Sequence, residues 1–560
     1  MTALCSMSNP ANAQNLQWAR AMGGPGFDMG NSVGVDASGD VYTTGYFNGT
    51  ADFNPDSATT FNLTSNGVED IFVSKFDGSG NFSWVVQIGA SNMDLGSSLA
   101  FDAAGNVYVT GQFEDTVDFD PGVGVFTMIV TGADDAFVLK LDPAGNFVWA
   151  RQFGGTYATG ASITVDLAGN VFTAGHFQGV NDFDPGAGTM NLTSAGAEDV
   201  FVSKLDPSGN FLWVKQMGGP QYDYASSVAL DAVGSIYTVG YFAGTSDFDP
   251  GAGTFNLIGS STFIQDIYIS KLDAAGNFEW AKKIGTASAT DVASSVAIDP
   301  SGNVYTTGMY AGTVDFNPGT GSFNMTAPGG DFNCYISKLD SLGNFVWAKQ
   351  VGGSVYDEGR FITTDAIGNV YTMGRMDGTG DFDPGAGVFN FTTNGGDDIF
   401  ISKLDASGNY IWATTFGGTG SDNPASLDFD ANYNIYITGY FAGPMDVDPG
   451  PGTYILDSLG GTIDVFVIKF DNPTTGIVEE NGASGVKVYP NPSNGIFNVS
   501  SNVNTMTEIT IWNSLGEKVS AQQNTSGNFI VDLSNQPAGI YFYQLQSDGK
   551  NSGSGKIVKE

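Results

Sequence analysis

The feature that most constrains this chain is a unit that recurs seven times along its 560 residues. Its clearest marker is tryptophan, which returns every 64 to 67 residues, at Trp18, Trp84, Trp149, Trp213, Trp280, Trp347 and Trp412. A fixed period of this size indicates a repeat architecture, in which each unit buries its apolar surface against its neighbours. We therefore predict one large array in this part of the chain.

Each unit reads as four short strands, which we name A, B, C and D in chain order. In one copy they cover residues 225–231, 236–242, 266–273 and 276–282. Turns of the type Asp-x-x-Gly-Asn join A to B and C to D, because Asp caps backbone N–H groups and Gly accepts the left-handed conformation that such hairpins need. No long stretch has the 3.6-residue apolar spacing of a helix, so we expect an all-β fold.

The order of the strands predicts a closed ring. Seven copies of each strand are present, but the first strand D, at residues 16–20, precedes the first strand A. The last unit has no strand D of its own, and the N-terminal strand can supply it. Four-stranded sheets repeated radially form a β-propeller, here with seven blades, and closure removes the exposed edges of an open array. We expect this propeller to be monomeric, with its tryptophans filling the space between adjacent blades.

The segments outside the repeat predict the domain boundaries. We assign residues 14–471 to the propeller, the polar residues 472–485 to a linker, and residues 486–560, with about seven short alternating strands, to a small β-sandwich. Ala11-Asn12-Ala13 resembles a signal-peptidase site, so we interpret residues 1–13 as the remnant of a signal peptide; a disordered N-terminus is the alternative. No apolar run reaches the ~18 residues of a membrane-spanning helix.

The charge balance excludes two classes of partner. The chain has 20 Lys and Arg against 59 Asp and Glu, a net charge of −39. From Ala483 onward the acids and bases are equal in number, so the whole excess lies in the repeats. Such a surface argues against nucleic acid and against anionic membranes. The two cysteines, Cys5 and Cys334, provide no disulfide framework.

The repeats resemble the seven-bladed β-propeller repeat family of bacterial exported proteins. The residues that carry this resemblance are Gly-Asn-Val-Tyr-x-Thr-Gly, Asp-x-Phe-x-Ser-Lys-Leu-Asp and Trp-Ala-Lys-Gln, and they recur over residues 16–470. The resemblance implies the same closed ring that the strand order predicts.

The last segment resembles the type A C-terminal sorting domain of the type IX secretion system. The matching residues are Tyr489-Pro490-Asn491-Pro492, Leu515-Gly516-Glu517, Asp532-Leu533-Ser534, Pro537-Ala538-Gly539-Ile540-Tyr541 and Lys556-Ile557-Val558-Lys559. The resemblance implies an immunoglobulin-like sandwich at 486–560 that engages the secretion machinery. It further implies export across the outer membrane, removal of the domain, and release or attachment at the cell surface. A generic sandwich that binds another ligand is the alternative.

Residues for common catalytic chemistry are scarce. The single histidine, His176, occupies the slot that Tyr46, Tyr241 and Tyr440 fill in other units, so we interpret it as a packing substitution. No Ser-His-Asp or Cys-His set can be assembled. Acids recur in nearly every unit, as structural residues do, whereas an active site would break the symmetry. Glu358, Arg360 and Arg375 in the sixth unit are such a break, and they would be the first place to look for one.

The acids fall into three groups. Fourteen lie at the tight turns, where capping explains them. A second group has the pattern Asp-x-Asp-Pro-Gly, at Asp118, Asp120, Asp182, Asp184, Asp247, Asp249, Asp381, Asp383, Asp446 and Asp448. A third group precedes strand C: Glu69 and Asp70, Asp134 and Asp135, Glu198 and Asp199, Asp266, Asp331, Asp397 and Asp398, and Asp464.

The second and third groups flank the connection between strands B and C, which at roughly 20 residues is longer than a usual hairpin. We expect this connection to form an additional strand or hairpin, since residues 254–257 read as extended. Carboxylates two residues apart on an extended segment suit a hard cation, so we interpret the second group as candidate Ca²⁺ ligands, the only cofactor predicted. The alternative is capping, or pairing with the lysines of strand C.

Three functions fit these observations. The first, which we favour, is a non-catalytic binding or adhesion scaffold outside the cell, with an extracellular glycan or protein as its ligand. The second is a secreted glycan-active hydrolase or lyase. The third is a purely structural surface protein. Because the units are nearly uniform, they favour binding or structural roles over catalysis.

Overall fold

The computed structural model describes residues 14–56, 58–286, 289–353, 355–460, 463–472, 487–489, 493, 495–500, 507–513, 518–524, 528–547 and 550–559. The chain divides into two units, Met1–Asn472 and Pro473–Glu560. The predicted signal-peptide remnant at 1–13 and nearly all of the predicted linker at 472–485 lie outside the described residues. No helix in the described ranges has the length and apolar character needed to cross a membrane.

Four-stranded antiparallel sheets follow one another through the first unit, each in the order A, B, C, D. Blade 1 consists of Met29–Val35, Val41–Phe47, Asp70–Phe76 and Phe82–Ile88. Blade 2 consists of Leu95–Phe101, Val107–Phe113, Asp135–Leu141 and the first part of Phe147–Val165. Blade 3 consists of the second part of that strand, Val171–Asp182, Asp199–Leu205 and Phe211–Met217. Blade 4 consists of Asp223–Leu230, Ile236–Phe242, Asp266–Leu272 and Phe278–Ile284.

The remaining sheets repeat the same order. Blade 5 consists of Val292–Ile298, Val304–Tyr310, Asn333–Leu339 and Phe345–Gly353. Blade 6 consists of Glu358–Thr364, Val370–Met376, Asp398–Leu404 and Tyr410–Gly418. Blade 7 takes Asp422–Phe429, Ile435–Ala442 and Ile463–Phe470 from one end of the repeats and Leu16–Met22 from the other. The predicted completion of the last sheet by the N-terminal strand is confirmed, with Trp18 opposite Lys469 and Met22 opposite Val465.

The sheets close into a ring with strand A at its centre. Each strand A contacts the strands A of both neighbouring blades, and strand A of blade 1 contacts strands A and B of blade 7. Strand D lies at the outer edge of each sheet. The predicted all-β propeller fold is therefore confirmed.

The apolar core lies between blades. One cluster joins Tyr42, Ile71 and Val73 of blade 1 to Leu99 and Phe137 of blade 2. Another joins Trp18, Tyr436 and Val465 of blade 7 to Val33 and Phe47 of blade 1. Strands B and C are buried on both faces because each sheet has a neighbour on either side. Their almost continuous apolar sequences follow from this arrangement.

The long connection between strands B and C forms a short outer hairpin in each blade, as predicted. The paired strands are Thr50–Asp52 with Asn62–Thr64, Thr116–Asp118 with Thr127–Ile129, the end of Val171–Asp182 with Asn191–Thr193, Thr245–Asp247 with Asn256–Ile258, Thr313–Asp315 with Asn324–Thr326, Thr379–Asp381 with Asn390–Thr392, and Met445–Asp446 with Ile455–Leu456. A short 3-10 helix, Pro328–Gly330, follows the hairpin of blade 5.

The second unit contains two antiparallel sheets around one apolar core. One sheet pairs Lys487–Tyr489, Ile496–Ser500 and Asn528–Asp532; the other pairs Thr507–Asn513, Lys518–Asn524, Gly539–Ser547 and Lys550–Lys559. Phe497 and Val531 of the first sheet share a buried cluster with Ile509, Ile511 and Tyr543 of the second. The immunoglobulin-like topology stays a prediction.

Candidate functional site

The two faces of the ring differ in the length of their connections. The tight A–B and C–D turns lie at one face, since both join antiparallel neighbours at the same end of the sheet. The D–A loops and the B–C connections with their hairpins emerge at the opposite face. We call this second face the long-loop face. Strand A is innermost, so the residues that begin each strand A surround the central opening at this face.

The turn acids act as caps, as predicted. Asp77 Oδ1 accepts hydrogen bonds from the backbone N–H groups of Ser79 (2.8 Å) and Asn81 (3.0 Å), and Oδ2 accepts one from Asn81 Nδ2 (2.8 Å). The backbone N–H and side chain of Asn81 hold the pKa of Asp77 below its ordinary value. This carboxylate stabilises the turn and is not free to bind a ligand.

Five lysines of strand C pair with an acid of the adjacent A–B turn, whereas Lys271 pairs with Glu279 of strand D. Lys140 Nζ lies 3.2 Å from Asp102 Oδ2 and 4.8 Å from the centre of the Tyr108 ring, and the Tyr108 hydroxyl donates to Asp102 at 3.0 Å. Lys338, Lys403 and Lys469 lie over the equivalent tyrosines and within 3.9 Å of Asp299, Asp365 and Asp430. Lys75 lies over Tyr42 and pairs with Asp40, the last residue of its turn, at 2.8 Å. The suggested pairing of these lysines with the acids of the B–C connection is therefore wrong: each lysine lies opposite a residue of strand B and reaches an acid of the turn that precedes that strand.

The Asp-x-Asp-Pro-Gly acids also cap backbone groups, at the base of the outer hairpins. Asp247 Oδ1 accepts from the N–H groups of Asp249 (3.0 Å) and Phe255 (2.8 Å), and Asp249 Oδ1 accepts from Gly251 N–H (2.8 Å). The same bonds recur at Asp118 and Asp120, Asp182 and Asp184, Asp381 and Asp383, and Asp446 and Asp448.

The capping alternative is thus confirmed for this group, because every one of its aspartates accepts at least one backbone N–H. Within the described ranges, no cluster of three or more His, Cys, Asp or Glu side chains could hold a metal ion. Binding of Ca²⁺ by these residues stays a prediction.

The single histidine lies in an aromatic group on blades 3 and 4 at the long-loop face. The ring centres of His176 and Tyr224 are 4.3 Å apart, and those of His176 and Tyr157 are 6.0 Å apart. Tyr224 also packs on Tyr241 at 5.0 Å and on Tyr222 at 6.2 Å. We call these five residues the aromatic platform. Burial lowers the pKa of His176 to about 4, so the imidazole is neutral at physiological pH.

The platform presents a flat ring to solvent. The planes of Tyr222 and Tyr224 are inclined by only 14°, and 51% of Tyr222 is exposed. Glu198 is the charged neighbour of this group: burial first, and then the charge of Glu198, raise the pKa of Tyr224 and of Tyr241. The site therefore combines exposed aromatic surface with a carboxylate. Tyr222 and Tyr224 flank Asp223, the first residue of strand A; the residue types at these two positions vary from blade to blade, so sequence reasoning missed them.

The sixth blade carries an ionic cluster at the same face. Arg375 Nε lies 3.2 Å from Glu358 Oε2, Arg375 Nη1 lies 3.2 Å from both Asp397 Oδ2 and Asn423 Oδ1, and the guanidinium stacks 4.5 Å from the centre of the Tyr356 ring. The irregularity noted in the sequence is thus a cross-linked group rather than three separate residues.

One oxygen of Glu358 has three polar neighbours. Its Oε2 accepts from the Tyr356 hydroxyl at 3.2 Å and lies 3.1 Å from Arg360 Nε as well as beside Arg375. The side chain of Glu358 is only 8% exposed, whereas that of Arg360 is 36% exposed. The cluster therefore offers an arginine to solvent and keeps its carboxylate engaged.

Two known protein families match this chain, one in each of its two units. The Beta-propeller repeat family matches residues 83–112, 148–183, 212–241 and 279–309, each match beginning in strand D and ending in strand B of the next blade. The Secretion system C-terminal sorting domain family matches residues 487–560.

Two longer proteins are similar in sequence. An uncharacterized WD repeat-containing protein of Acanthamoeba polyphaga mimivirus is 25% identical, over 76% of this chain and 36% of its own length. Regulatory protein FlaEY of Caulobacter vibrioides is 25% identical, over 70% of this chain and 42% of its own length. The chain therefore spans less than half of either protein.

Two solved structures are similar over most of the chain. A fungal alcohol oxidase of the AA5 family, in complex with copper, has a TM-score of 0.40 and 13% identity, over 98% of this chain and all of that one. PorZ, a surface component of the type IX secretion system of Porphyromonas gingivalis, has a TM-score of 0.30 and 12% identity, over 96% of this chain and 74% of that one. Together the repeats and the tail identify the chain as a β-propeller repeat protein that carries the C-terminal sorting domain of the type IX secretion system, which directs it to the outside of the cell.

Proposed function

We propose that the exported propeller is a non-catalytic binding scaffold whose ligand is an extracellular glycan, held at the long-loop face over blades 3 and 4. The observation that carries this proposal is the exposed, nearly parallel pair Tyr222 and Tyr224. The C–H face of a sugar ring is apolar and flat, so it packs on such a ring, while its hydroxyl groups bond to a nearby carboxylate such as Glu198.

Two features support a non-catalytic role. The groups that usually act as nucleophile or base are enclosed: Cys334 is fully buried, which raises the pKa of its thiol, and His176 is packed between tyrosines. In the sixth blade, Glu358 is held between two guanidinium groups and a tyrosine hydroxyl. A carboxylate engaged in this way is poorly suited to transfer protons.

The test uses the full chain on an array of polysaccharides and oligosaccharides. Tyr222→Ala should weaken binding about tenfold, which corresponds to about 1.4 kcal/mol of lost aromatic contact. The matched control is Tyr454→Ala, which removes a tyrosine of similar exposure (42%) from the outer hairpin of blade 7 and should bind as the wild type does. Equal binding by the wild type and Tyr222→Ala would contradict the platform as the binding site.

A glycan-active enzyme is the second candidate, favoured by the break in symmetry at Glu358, Arg360 and Arg375. If it is correct, purified full chain depolymerises a polysaccharide and Glu358→Gln abolishes this activity. A protein ligand, or a purely structural role, would instead leave the glycan array empty.

A further inference from the structure

Each interface between blades brings two buried positions together. One lies at the start of strand C, and the other begins or immediately precedes strand A of the next blade, eight positions before its turn acid. Aspartate fills both positions at five interfaces: Asp70 with Asp94, Asp199 with Asp223, Asp266 with Asp291, Asp398 with Asp422, and Asp464 with Asp28. All ten side chains are at most 1% exposed.

The interface between blades 3 and 4 shows the arrangement. Asp199 Oδ2 accepts from Ala195 N–H (3.0 Å) and Gln216 Nε2 (2.7 Å), while its Oδ1 has no hydrogen-bond partner. Asp223 accepts from Gly219 N–H (2.7 Å) through Oδ2 and from the Ser246 hydroxyl (2.6 Å) through Oδ1. Asp199 Oδ1 lies against Gly218, and Asp223 Oδ2 accepts from the N–H of the adjacent Gly219, so the two carboxyl groups are neighbours in a buried interface. Two negative charges there would repel strongly.

A strand-C aspartate has an oxygen without a hydrogen-bond partner where the next blade also contributes an aspartate. Oδ1 lacks a partner in Asp70, Asp199, Asp266, Asp398 and Asp464, all of which face an aspartate of the next blade. At the interface between blades 2 and 3, the second position is Ala158, and there Asp135 Oδ1 accepts from Gly155 N–H at 3.1 Å. An oxygen without a donor beside another carboxyl group is the position at which a proton would form an O–H···O bond.

At three interfaces, one of the two aspartates is replaced by an uncharged residue or is paired with a lysine. Ala158 replaces one aspartate, Asn333 replaces another and donates its amide to the Gly353 carbonyl at 2.7 Å, and Lys283 pairs with Asp266 at 3.2 Å. None of these three interfaces holds two uncompensated carboxylates. The four remaining pairs contact no lysine or arginine within the part of the chain that the structure describes.

We propose that each of these four pairs, Asp70–Asp94, Asp199–Asp223, Asp398–Asp422 and Asp464–Asp28, shares one proton at neutral pH, and that these protons help to hold the blades together. The proton bonds one carboxyl group to the other, and each interface then carries a single negative charge. One of the four lies at the junction that closes the ring, between blades 7 and 1.

The electrostatics agree with this geometry. Burial raises the pKa of Asp94, Asp223, Asp422 and Asp464 to about 7, and that of Asp28, Asp199 and Asp398 to about 6. The other titratable groups that face these pairs are Glu114 at Asp94, Asp377 at Asp398, Asp397 at Asp398 and Asp422, and the buried hydroxyl of Tyr268 at Asp223. None supplies a positive charge, and the neighbouring carboxylates further favour the protonated form of these pairs.

The direction of the pH dependence follows. These carboxyl groups have a higher pKa in the folded protein than the ordinary value of 3.8, so the folded state holds protons that the unfolded state has lost. Their stabilising effect is complete below pH 3.8 and is lost as the pH rises towards 7. We therefore expect the full chain to melt at a lower temperature at pH 8 than at pH 5.

The decisive variant is Asp199→Asn, which copies Asn333. Its amide oxygen can accept the bonds of Ala195 and Gln216, and its NH₂ group can donate to Asp223 where the proton stood. Calorimetry of the full chain should show a higher melting temperature than the wild type at pH 8 and little change at pH 5. The matched control is Asp135→Asn, which faces Ala158 and should give no gain at pH 8.

A lysine variant and infrared spectroscopy test the shared proton independently. Lys283→Met should lower the melting temperature mainly at pH 8, because it leaves Asp266 and Asp291 uncompensated. The infrared band of protonated carboxyl groups at neutral pH should weaken in Asp199→Asn. The proposal is overturned if Asp199→Asn and Asp135→Asn behave alike. It is also overturned if CaCl₂ raises the melting temperature of the wild type but not of Asp199→Asn at pH 8, since a cation would then occupy the pair.

Discussion

At the scale of the residue, the repeated tryptophan is a contact between blades with a defined polar bond. Trp149 Nε1 donates to the Pro207 carbonyl of the next blade at 3.2 Å, and its ring meets Tyr108 edge-to-face at 5.9 Å. Gly209 of that turn lies against the ring with φ +76°, and a Cβ there would come within 3.1 Å of the indole. Glycine is thus required for two reasons, its left-handed conformation and the close approach of the indole.

We expect Trp149→Phe and Trp149→Ala to separate these contributions. Phenylalanine keeps most of the packing and loses the hydrogen bond, at a cost of about 1 kcal/mol, whereas alanine leaves a cavity that costs about 3–5 kcal/mol. Urea denaturation of the full chain measures both, and Leu167→Ala, at a fully exposed position, should change nothing. Equal losses in the two tryptophan variants would show that the hydrogen bond, not the packing, dominates.

At the scale of the element, the outer hairpins depend on their first aspartate more than on their second. Asp247 Oδ1 accepts hydrogen bonds from two backbone N–H groups, that of Asp249 and that of Phe255, which is eight residues further along the chain. Asp249 accepts one, from Gly251 two residues on. The first aspartate therefore ties the two ends of the hairpin together, and the second shapes only the Pro-Gly turn.

We predict that Asp247→Ala speeds hydrogen exchange throughout residues 245–258, while Asp249→Ala speeds it only near Gly251. The loss of two backbone bonds at Asp247 corresponds to about 1–3 kcal/mol of local stability. Hydrogen exchange read by mass spectrometry resolves this segment. If the pair also binds Ca²⁺, adding EDTA to the wild type reproduces the effect of Asp247→Ala; no effect of EDTA leaves capping as its only role.

At the scale of the whole molecule, the ring is closed by its first strand. Leu16–Met22 pairs along its length with Ile463–Phe470, and Asp471 accepts from both the backbone N–H and the side-chain amide of Asn15, each at 2.9 Å. Without this strand, blade 7 would expose the edge of Ile463–Phe470, and the core cluster around Trp18 would open.

We predict that deletion of residues 1–22 lowers the melting temperature and causes concentration-dependent association, because an unpaired edge recruits other strands. Calorimetry and size-exclusion chromatography measure the two effects. Deletion of residues 1–13 alone is the control, as it leaves the strand in place. A monomeric, equally stable 1–22 deletion would contradict closure by this strand.

A second prediction at this scale concerns acid. The turn acids Asp77 and Asp273 have a pKa below 3.8 in the folded protein, because hydrogen bonds favour the carboxylate. Their stabilising effect is present above pH 3.8 and is lost as the pH falls through the lowered pKa. Together with the interface pairs, this gives a melting temperature that is highest in mildly acidic solution and falls on both sides, which a calorimetric pH series checks.

Much of this architecture could be predicted because its signals are local and repeated. The period of Trp18 to Trp412, the Asp-x-x-Gly-Asn turns and the early strand D at residues 16–20 predict the strands, their order and the closing strand. The sorting segment is equally readable from its motifs. The aromatic platform could not be predicted in the same way. Tyr157, Tyr222 and Tyr224 lie at or beside the start of strand A, at positions whose residue type varies from blade to blade, and His176 meets Tyr224 only across neighbouring blades.

By itself, the sequence determined the secondary structure, the repeat and the export signal, since each depends on residues close together along the chain. Only the tertiary structure decided which acids face one another. Asp199 and Asp223 look like two more members of an acidic surface in a chain of net charge −39, yet ring geometry buries them together. The physical reason is that the partner of a blade-end carboxyl group lies on the next blade, and the packing between blades, not the sequence around the residue, sets its distance, its burial and its demand for a proton.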